Sequence, residues 1–164
     1  MHKILSEAET YINYYKNYEE GQRTYRYLKM DEAIANCAVK ASFDLNASLI
    51  VVYTRSGKTA KSVAKFKPKC PILAVTNSAE SGKQCMLYKG IFFMIVDSLM
   101  EDDHLHEKVF SYAKSRNLVS PGDYVILTAG FARDGGFGTT NLLRIETIKA
   151  DLNTSSSTAE LSNE

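Results

Sequence analysis

Short apolar runs alternate with amphipathic segments over most of the chain. Four short, mostly apolar runs predict strands, and the first two of them are continuously apolar, a pattern typical of strands buried on both faces of a sheet. Between them, apolar residues recur at helical spacing. The predicted strands are Leu49–Tyr53, Ile72–Val75, Ile91–Val96 and Tyr124–Thr128, and the predicted helices are Thr59–Lys65, Ser78–Tyr88 and a longer one containing Leu105, Val109 and Ala113.

The last patterned segment, Leu142–Ile148, differs from the other strands because its apolar and polar positions alternate. Alternation is typical of a strand with one exposed face. We therefore predict an edge strand, with an antiparallel orientation left open, joined through the glycine-rich stretch Gly130–Thr140. Strands that alternate with helices predict a three-layer α/β/α sandwich built on a mostly parallel mixed sheet.

Two helices are predicted before the first strand. The first covers Ile4–Tyr18, and the polar stretch Glu19–Lys29 after it has no clear period and is interpreted as a connector. The second begins at Asp31 and Glu32, whose charges suit a helix N-terminus. Residues 150–164 are polar and are predicted to be disordered. The predicted apolar face of the second helix consists of Ile34, Cys37, Ala38, Ala41 and Leu45.

The composition is that of one soluble globular domain. The chain has 164 residues, of which 45% are apolar and 24% charged, and its formal net charge is +1. Without a whole-domain basic field, we expect neither nucleic acid nor a membrane as a partner. No apolar run is long enough to cross a bilayer, and Glu7 and Glu9 come too early for a secretory signal, so a cytoplasmic location is predicted.

The cysteines and histidines predict no metal site and no disulfide framework. Cys37, Cys70 and Cys85 are odd in number and widely spaced, and we expect them to be small buried hydrophobic residues. His104 and His106 are two positions apart, so on a helix they point in different directions. No nucleophile elbow, catalytic triad or dinucleotide fingerprint occurs in the sequence, so no catalytic residues are predicted.

The end of the first strand carries the clearest candidate chemistry. Thr54–Thr59 combines hydroxyl groups, a conformationally permissive glycine, two cations and the start of a helix, which together suit a phosphate. The GxxxxGK pattern of a Walker A loop is absent. An ordinary polar turn between a strand and a helix is the alternative interpretation.

The glycine-rich stretch Gly130–Thr140 is the second candidate. Its glycines allow the backbone to approach a ligand closely, and Arg133 can pair with an anion. A flexible connector before an edge strand is the alternative. Both candidate loops follow carboxyl ends of strands, where ligands of open α/β sheets collect, so we expect them to face one pocket.

Several stretches together resemble, in the right order, the C-terminal domain of pyruvate kinase. The resemblance extends from about residue 30 to 148, and Met1–Tyr14 is similar to the last helix of that family's catalytic barrel. The stretches that carry it include Glu32-Ala33-Ile34-Ala35, Ala38-Val39-Lys40-Ala41, Ser56-Gly57-Lys58-Thr59-Ala60, Val63-Ala64-Lys65-Phe66-Lys67-Pro68, Cys70-Pro71-Ile72-Leu73-Ala74-Val75-Thr76, Tyr88-Lys89-Gly90, Gly122-Asp123, Thr128-Ala129-Gly130 and Gly138-Thr139-Thr140-Asn141.

The resemblance implies a five-stranded mixed sheet and a whole enzyme that transfers a phosphoryl group from phosphoenolpyruvate to ADP with Mg²⁺ and K⁺. The family's catalytic groups lie in the barrel, whose motifs do not occur here. We therefore expect a piece of that enzyme that is not itself catalytic and holds no cofactor. Its expected parts are the barrel helix and connector at 1–28, the C-terminal domain at 29–149 and the tail at 150–164.

The resemblance also implies a sugar-phosphate effector, the enzyme's own catalytic barrel and a neighbouring subunit's C-terminal domain, in a homodimer or homotetramer, as partners. Regulated animal and yeast members hold the second phosphate of fructose bisphosphate with an arginine, where this sequence has Leu105, so a monophosphate, another effector or none stays open. Carried over, one phosphate is held by Thr54, Arg55, Ser56, Gly57, Lys58 and Thr59, and Gly130, Arg133 and Gly136 lie near the sugar or second phosphate.

Two other functions compete with this one. A stand-alone sensing or assembly domain of the same fold would have little use for the leading helix, Ile4–Tyr15, whose apolar face it would expose. A small phosphotransferase or phosphatase would need a nucleophile or base beside Lys58, and the sequence offers none.

Overall fold

A computed structural model describes residues 11–24, 27–99, 104–131 and 137–150. Five helices and five strands alternate over most of these ranges. The helices are α1 (Tyr14–Thr24), α2 (Met30–Asp44), α3 (Lys58–Lys65), α4 (Ala79–Cys85) and α5 (Leu105–Ser115), and the strands are β1 (Leu49–Tyr53), β2 (Ile72–Thr76), β3 (Ile91–Ile95), β4 (Tyr124–Phe131) and β5 (Phe137–Thr147).

The strands form one mixed sheet in the order β3-β2-β1-β4-β5. β1 lies at its centre and pairs in parallel with β2 and β4. β5 pairs with β4 in the antiparallel direction and forms an edge. The antiparallel orientation that the alternating pattern left open is therefore settled by the β4–β5 hairpin.

Apolar side chains fill the space on both faces of the sheet. α2, α3 and α4 pack on one face, around Ile50, Val52 and Ile72. α5 packs on the other, around Val51 and Leu73. All residues of β1 and β2 are buried, as their continuous apolar runs predict, whereas β3 forms the other edge of the sheet and is partly exposed. The predicted three-layer α/β/α sandwich with a five-stranded, mostly parallel mixed sheet is confirmed.

The first described helix differs from its prediction. The predicted helix ended at Tyr18, but α1 continues through the polar stretch to Thr24. The cause is tertiary: the Tyr18 ring lies 5.4 Å from that of Phe43, and the Gln22 side-chain carbonyl accepts a hydrogen bond of 3.0 Å from Asn36. Contacts with α2 thus stabilise a segment that has no apolar period. The predictions for residues 1–10 lie outside the described residues.

The buried face of α2 also differs from its prediction. Ala38 is buried as predicted, but Cys37 is exposed and Ile34 is only half-buried. Small residues allow α2 to approach the sheet, so the residues that face it are Ala35, Ala38, Val39 and Ser42. The prediction that the cysteines are buried is wrong for Cys37, while Cys70 is half-buried and Cys85 is buried.

No described helix is both long and apolar enough to span a membrane. Within the same part of the chain, no group of three or more His, Cys, Asp or Glu side chains could hold a metal ion. The tail predicted to be disordered covers residues 150–164, of which 151–164 lie outside the described ranges.

Candidate functional site: the junction between β1 and α3

The candidate site is the turn that leads from the central strand β1 into α3. Thr54 continues the sheet, since its amide donates to the Val75 carbonyl at 2.9 Å. Its side chain is buried, and Oγ1 accepts a hydrogen bond of 3.0 Å from the Gly57 amide. This bond closes the turn and leaves Arg55 and Ser56 exposed at its tip.

Gly57 occupies the last position before α3 and has the left-handed backbone conformation, with φ of 74°. Glycine adopts this conformation without steric cost. A Cβ here would also collide with the buried Sγ of Cys85. That thiol donates to the Gly57 carbonyl at 3.7 Å, and burial raises its pKa, so it stays protonated. The turn therefore requires glycine for two independent reasons.

The start of α3 presents backbone donors. The first amides of any helix lack intrahelical acceptors, and Gly57 has no side chain with which to cap them. The helix dipole places partial positive charge at the same end. This arrangement suits an anion, as the sequence predicts.

Lys58 is less available to an anionic ligand than the sequence suggests, because it already has an acidic partner. Its Nζ lies 2.8 Å from Oδ2 of Asp31, at the start of α2. The Asp31 side chain is 8% exposed and that of Lys58 is 71% exposed, so a nearly buried carboxylate holds an exposed ammonium group. Their hydrogen bond lowers the pKa of Asp31 and raises that of Lys58. A second pair, Lys65 with Glu32 at 2.9 Å, joins the same two helices.

Two further contacts tie the turn to the rest of the sheet. The Thr59 hydroxyl hydrogen-bonds to that of Thr140, in β5. The Arg55 carbonyl faces Thr76 Oγ1, at the end of β2, at 3.5 Å. The Thr59–Thr140 bond brings the first candidate loop to the far end of the second one.

The other site residues predicted in the second loop divide into two groups. Gly130 is buried within β4. Arg133 and Gly136 lie outside the described residues, so their part in the site stays a prediction.

Leu105 is a core residue. It is 6% exposed and belongs to the cluster beneath α5. It also lines a cavity of about 290 Å³, together with Leu127, Leu142 and Arg144. His106 lines the same cavity and contacts the Tyr53 hydroxyl through Nδ1 at 2.7 Å, whereas His104 contacts Glu107. The two histidines therefore have separate partners.

Sequence reasoning missed three residues that shape this site. The sequence indicates Asp31 only as a charge at a helix N-terminus and does not connect Cys85 with the turn, and it places Thr140 in the second loop, facing the same pocket, without indicating its contact with Thr59. Each lies far from the loop in the sequence, as the separations of 28 residues for Gly57–Cys85 and 81 for Thr59–Thr140 show. No local pattern could have indicated these contacts.

Comparison with known proteins identifies a family and several relatives. The family described as "Pyruvate kinase, alpha/beta domain" matches residues 32–146. A pyruvate kinase of Eimeria tenella is 33% identical over 150 residues, which cover 91% of this chain and 28% of the relative. A pyruvate kinase of Dictyostelium discoideum is 37% identical over 117 residues, covering 71% of this chain and 23% of the relative.

Solved structures agree with the sequence comparison. The structure of Cryptosporidium parvum pyruvate kinase in complex with ADP superposes with a TM-score of 0.79 at 27% identity. The match covers 85% of this chain and 28% of that chain. This chain thus spans only about a quarter of the length of the relatives that it matches.

Proposed function

Because the chain belongs to the pyruvate kinase alpha/beta domain family, as the match over residues 32–146 shows, we propose that it is the regulatory and assembly part of a pyruvate kinase. The enzyme as a whole transfers a phosphoryl group from phosphoenolpyruvate to ADP in glycolysis, in the cytoplasm. This part binds a sugar-phosphate effector at the β1–α3 turn and is not itself catalytic. The metals of the whole enzyme, Mg²⁺ and K⁺, belong to the barrel.

The observation that carries the effector site is the left-handed Gly57 at the start of α3. It directs the turn so that the first amides of the helix have no capping side chain, while Ser56 and Arg55 stand exposed beside them. Backbone amides, a hydroxyl and a guanidinium group are the donors that a phosphate accepts from.

The effector's second phosphate, if present, would lack the partner that regulated relatives provide. Leu105 is apolar and 6% exposed. Arg144, in the same cavity wall, is engaged with Glu146 at 2.8 Å. These two residues favour a sugar monophosphate over a bisphosphate.

Regulation follows from the contacts of the turn. A bound phosphate would order residues that contact α2 through Lys58, β5 through Thr59 and β2 through Arg55. Allosteric coupling requires that the ligand bind two arrangements of such a network unequally. The network would transmit the difference to the neighbouring C-terminal domain and to the barrel.

The assembly role rests on the open edge of the sheet. β5 pairs only with β4 among the described strands, and Leu142 and Ile145 on it are 40% and 45% exposed. Edge strands with exposed apolar residues are natural contact surfaces for a second copy. Sedimentation equilibrium of the full chain should therefore show a dimer, and a strictly monomeric chain would contradict the assembly role.

Calorimetric titration with sugar mono- and bisphosphates tests the effector site. We expect saturable binding of a monophosphate by the full chain, and a loss of about tenfold or more in the variant Lys58→Ala. Lys65→Ala is the matched control, since it removes the neighbouring lysine of the same helix–helix seam and should leave affinity within about twofold. A well-folded chain that binds no sugar phosphate would refute the effector site.

A further inference from the structure

The cation of the proposed phosphate loop is already bound to a carboxylate of the protein. Lys58 Nζ lies 2.8 Å from Asp31, whose side chain is almost entirely buried. Asp31 belongs to α2, outside the loop, and its carboxylate is fixed near the start of the helix. The pair therefore neutralises the lysine when no ligand is bound.

A carboxylate and a phosphate compete for the same ammonium donors. A ligand with a single negative charge offers Lys58 no more charge than Asp31 does, and it is also repelled by that carboxylate. A phosphate monoester carries about −1.5 to −2 charges at neutral pH and has three strong acceptor oxygens. Only such a ligand has a clear advantage over the internal partner.

We propose that Asp31 is a specificity-determining residue: an internal competitor that weakens all anion binding at the loop and selects doubly charged phosphate groups over carboxylates. The inference rests on the proposed effector site. Its physical basis is that the Asp31 carboxylate repels any anion bound close to it. This repulsion prevents binding of singly charged ligands such as carboxylates, whose attraction to the loop is weaker than that of a phosphate.

The surrounding charges provide a matched control. Glu32 adjoins Asp31 in the sequence, in the same turn of α2, but its carboxylate binds Lys65 at 2.9 Å rather than Lys58. Asp31→Asn and Glu32→Gln each remove one negative charge and one α2–α3 ion pair. Only the first releases Lys58.

The test uses the full ¹⁵N-labelled chain and follows the amides of Gly57, Lys58 and Thr59 by NMR. The probes are inorganic phosphate and acetate, titrated at pH 7.5 and constant ionic strength. In Asp31→Asn we expect phosphate to bind about tenfold more tightly. The affinity for acetate should rise by a larger factor, so that the ratio of the two affinities, which measures the preference for phosphate, falls. In Glu32→Gln, which removes the same charge and the Lys65 pair but leaves Lys58 paired with Asp31, we expect the phosphate affinity to change less than twofold.

Other outcomes overturn the inference in distinguishable ways. If the unaltered chain binds phosphate but Asp31→Asn binds it no more tightly, Asp31 is not a competitor and the effector site stands. The same conclusion follows if the phosphate affinity rises equally in Asp31→Asn and Glu32→Gln. If phosphate moves no loop amide in the unaltered chain or in either variant, the effector site fails and the inference with it. Asp31→Ser, which also suits a helix N-terminus, repeats the measurement should Asp31→Asn fold poorly.

Discussion

The junction between β1 and α3 contrasts with the one between β2 and α4, although both connect a buried strand to a helix on the same face of the sheet. At the second junction, the Ser78 side chain accepts from the Ser81 amide at 3.2 Å and caps α4. The Ser78 amide in turn donates to Thr76 Oγ1, also at 3.2 Å. This helix start is closed by bonds between residues at most three positions apart.

The first junction has one local bond of this kind, from the Gly57 amide to Thr54, but its other contacts cross the fold. Gly57 cannot cap α3 with a side chain, but its carbonyl accepts from Cys85, and the next two residues bind Asp31 and Thr140. The first amides of α3 thus have no capping side chain, while the Gly57 carbonyl and the Lys58 and Thr59 side chains contact three other elements. A closed junction serves stability, whereas an open and tethered one suits a regulated ligand site.

The largest effect should come from filling the space beside Gly57. Gly57→Ala places a methyl group against Cys85 Sγ at a positive φ, so we expect a loss of about 2–3 kcal/mol in the free energy of unfolding. Gly90→Ala is the control, because Gly90 also has a positive φ but no atom lies within 4 Å of the place its methyl group would take, and about 1 kcal/mol is expected. Urea denaturation measures both, and equal losses would show that the Cys85 contact is unimportant.

A smaller effect should follow from opening the second junction. Ser78→Ala removes the cap of α4, which we expect to cost about 1 kcal/mol. Ser56→Ala, at the tip of the first junction, should cost less than about 0.5 kcal/mol because Ser56 is exposed and precedes a helix without a side-chain cap. The same denaturation assay compares them. A larger loss of unfolding free energy in Ser56→Ala than in Ser78→Ala would contradict the proposed difference between the junctions.

The smallest effect concerns the pH dependence of the Asp31–Lys58 pair. Lys58 lowers the pKa of Asp31 in the folded chain, so the carboxylate stabilises the fold above its unfolded pKa of about 3.9. This contribution is lost as the pH falls through the lower, folded pKa. The stability difference between the unaltered chain and Asp31→Asn should be constant above about pH 5 and shrink below about pH 4. Urea denaturation from pH 7 to 2.5 measures it, and a pH-independent difference would argue against the ion pair.

The strands and the candidate turn were predictable because their signals are local. Continuous apolar runs are typical of burial on both faces, and β1 and β2 are indeed inner strands, whereas β3, with a similar run, lies at an edge of the sheet with Phe92 half exposed. The hydroxyls, glycine and lysine of Thr54–Thr59 indicated a helix start open to an anion, and the left-handed Gly57 agrees with that pattern. These features depend on backbone sterics and on the neighbours of each residue in the chain.

The sequence by itself determined the layered α/β/α fold, the approximate positions of the strands and the place of the candidate site. These features depend on hydrophobic periodicity and on the residue types of a turn, both of which are properties of neighbouring residues in the chain. Tertiary structure alone decided the helical conformation of residues 19–24, the exposure of Cys37 and the engagement of Lys58 by Asp31. Each of these depends on how α2 lies against its neighbours. Side chains that packing brings together from distant parts of the chain produce no periodic pattern in the sequence by which they could be predicted.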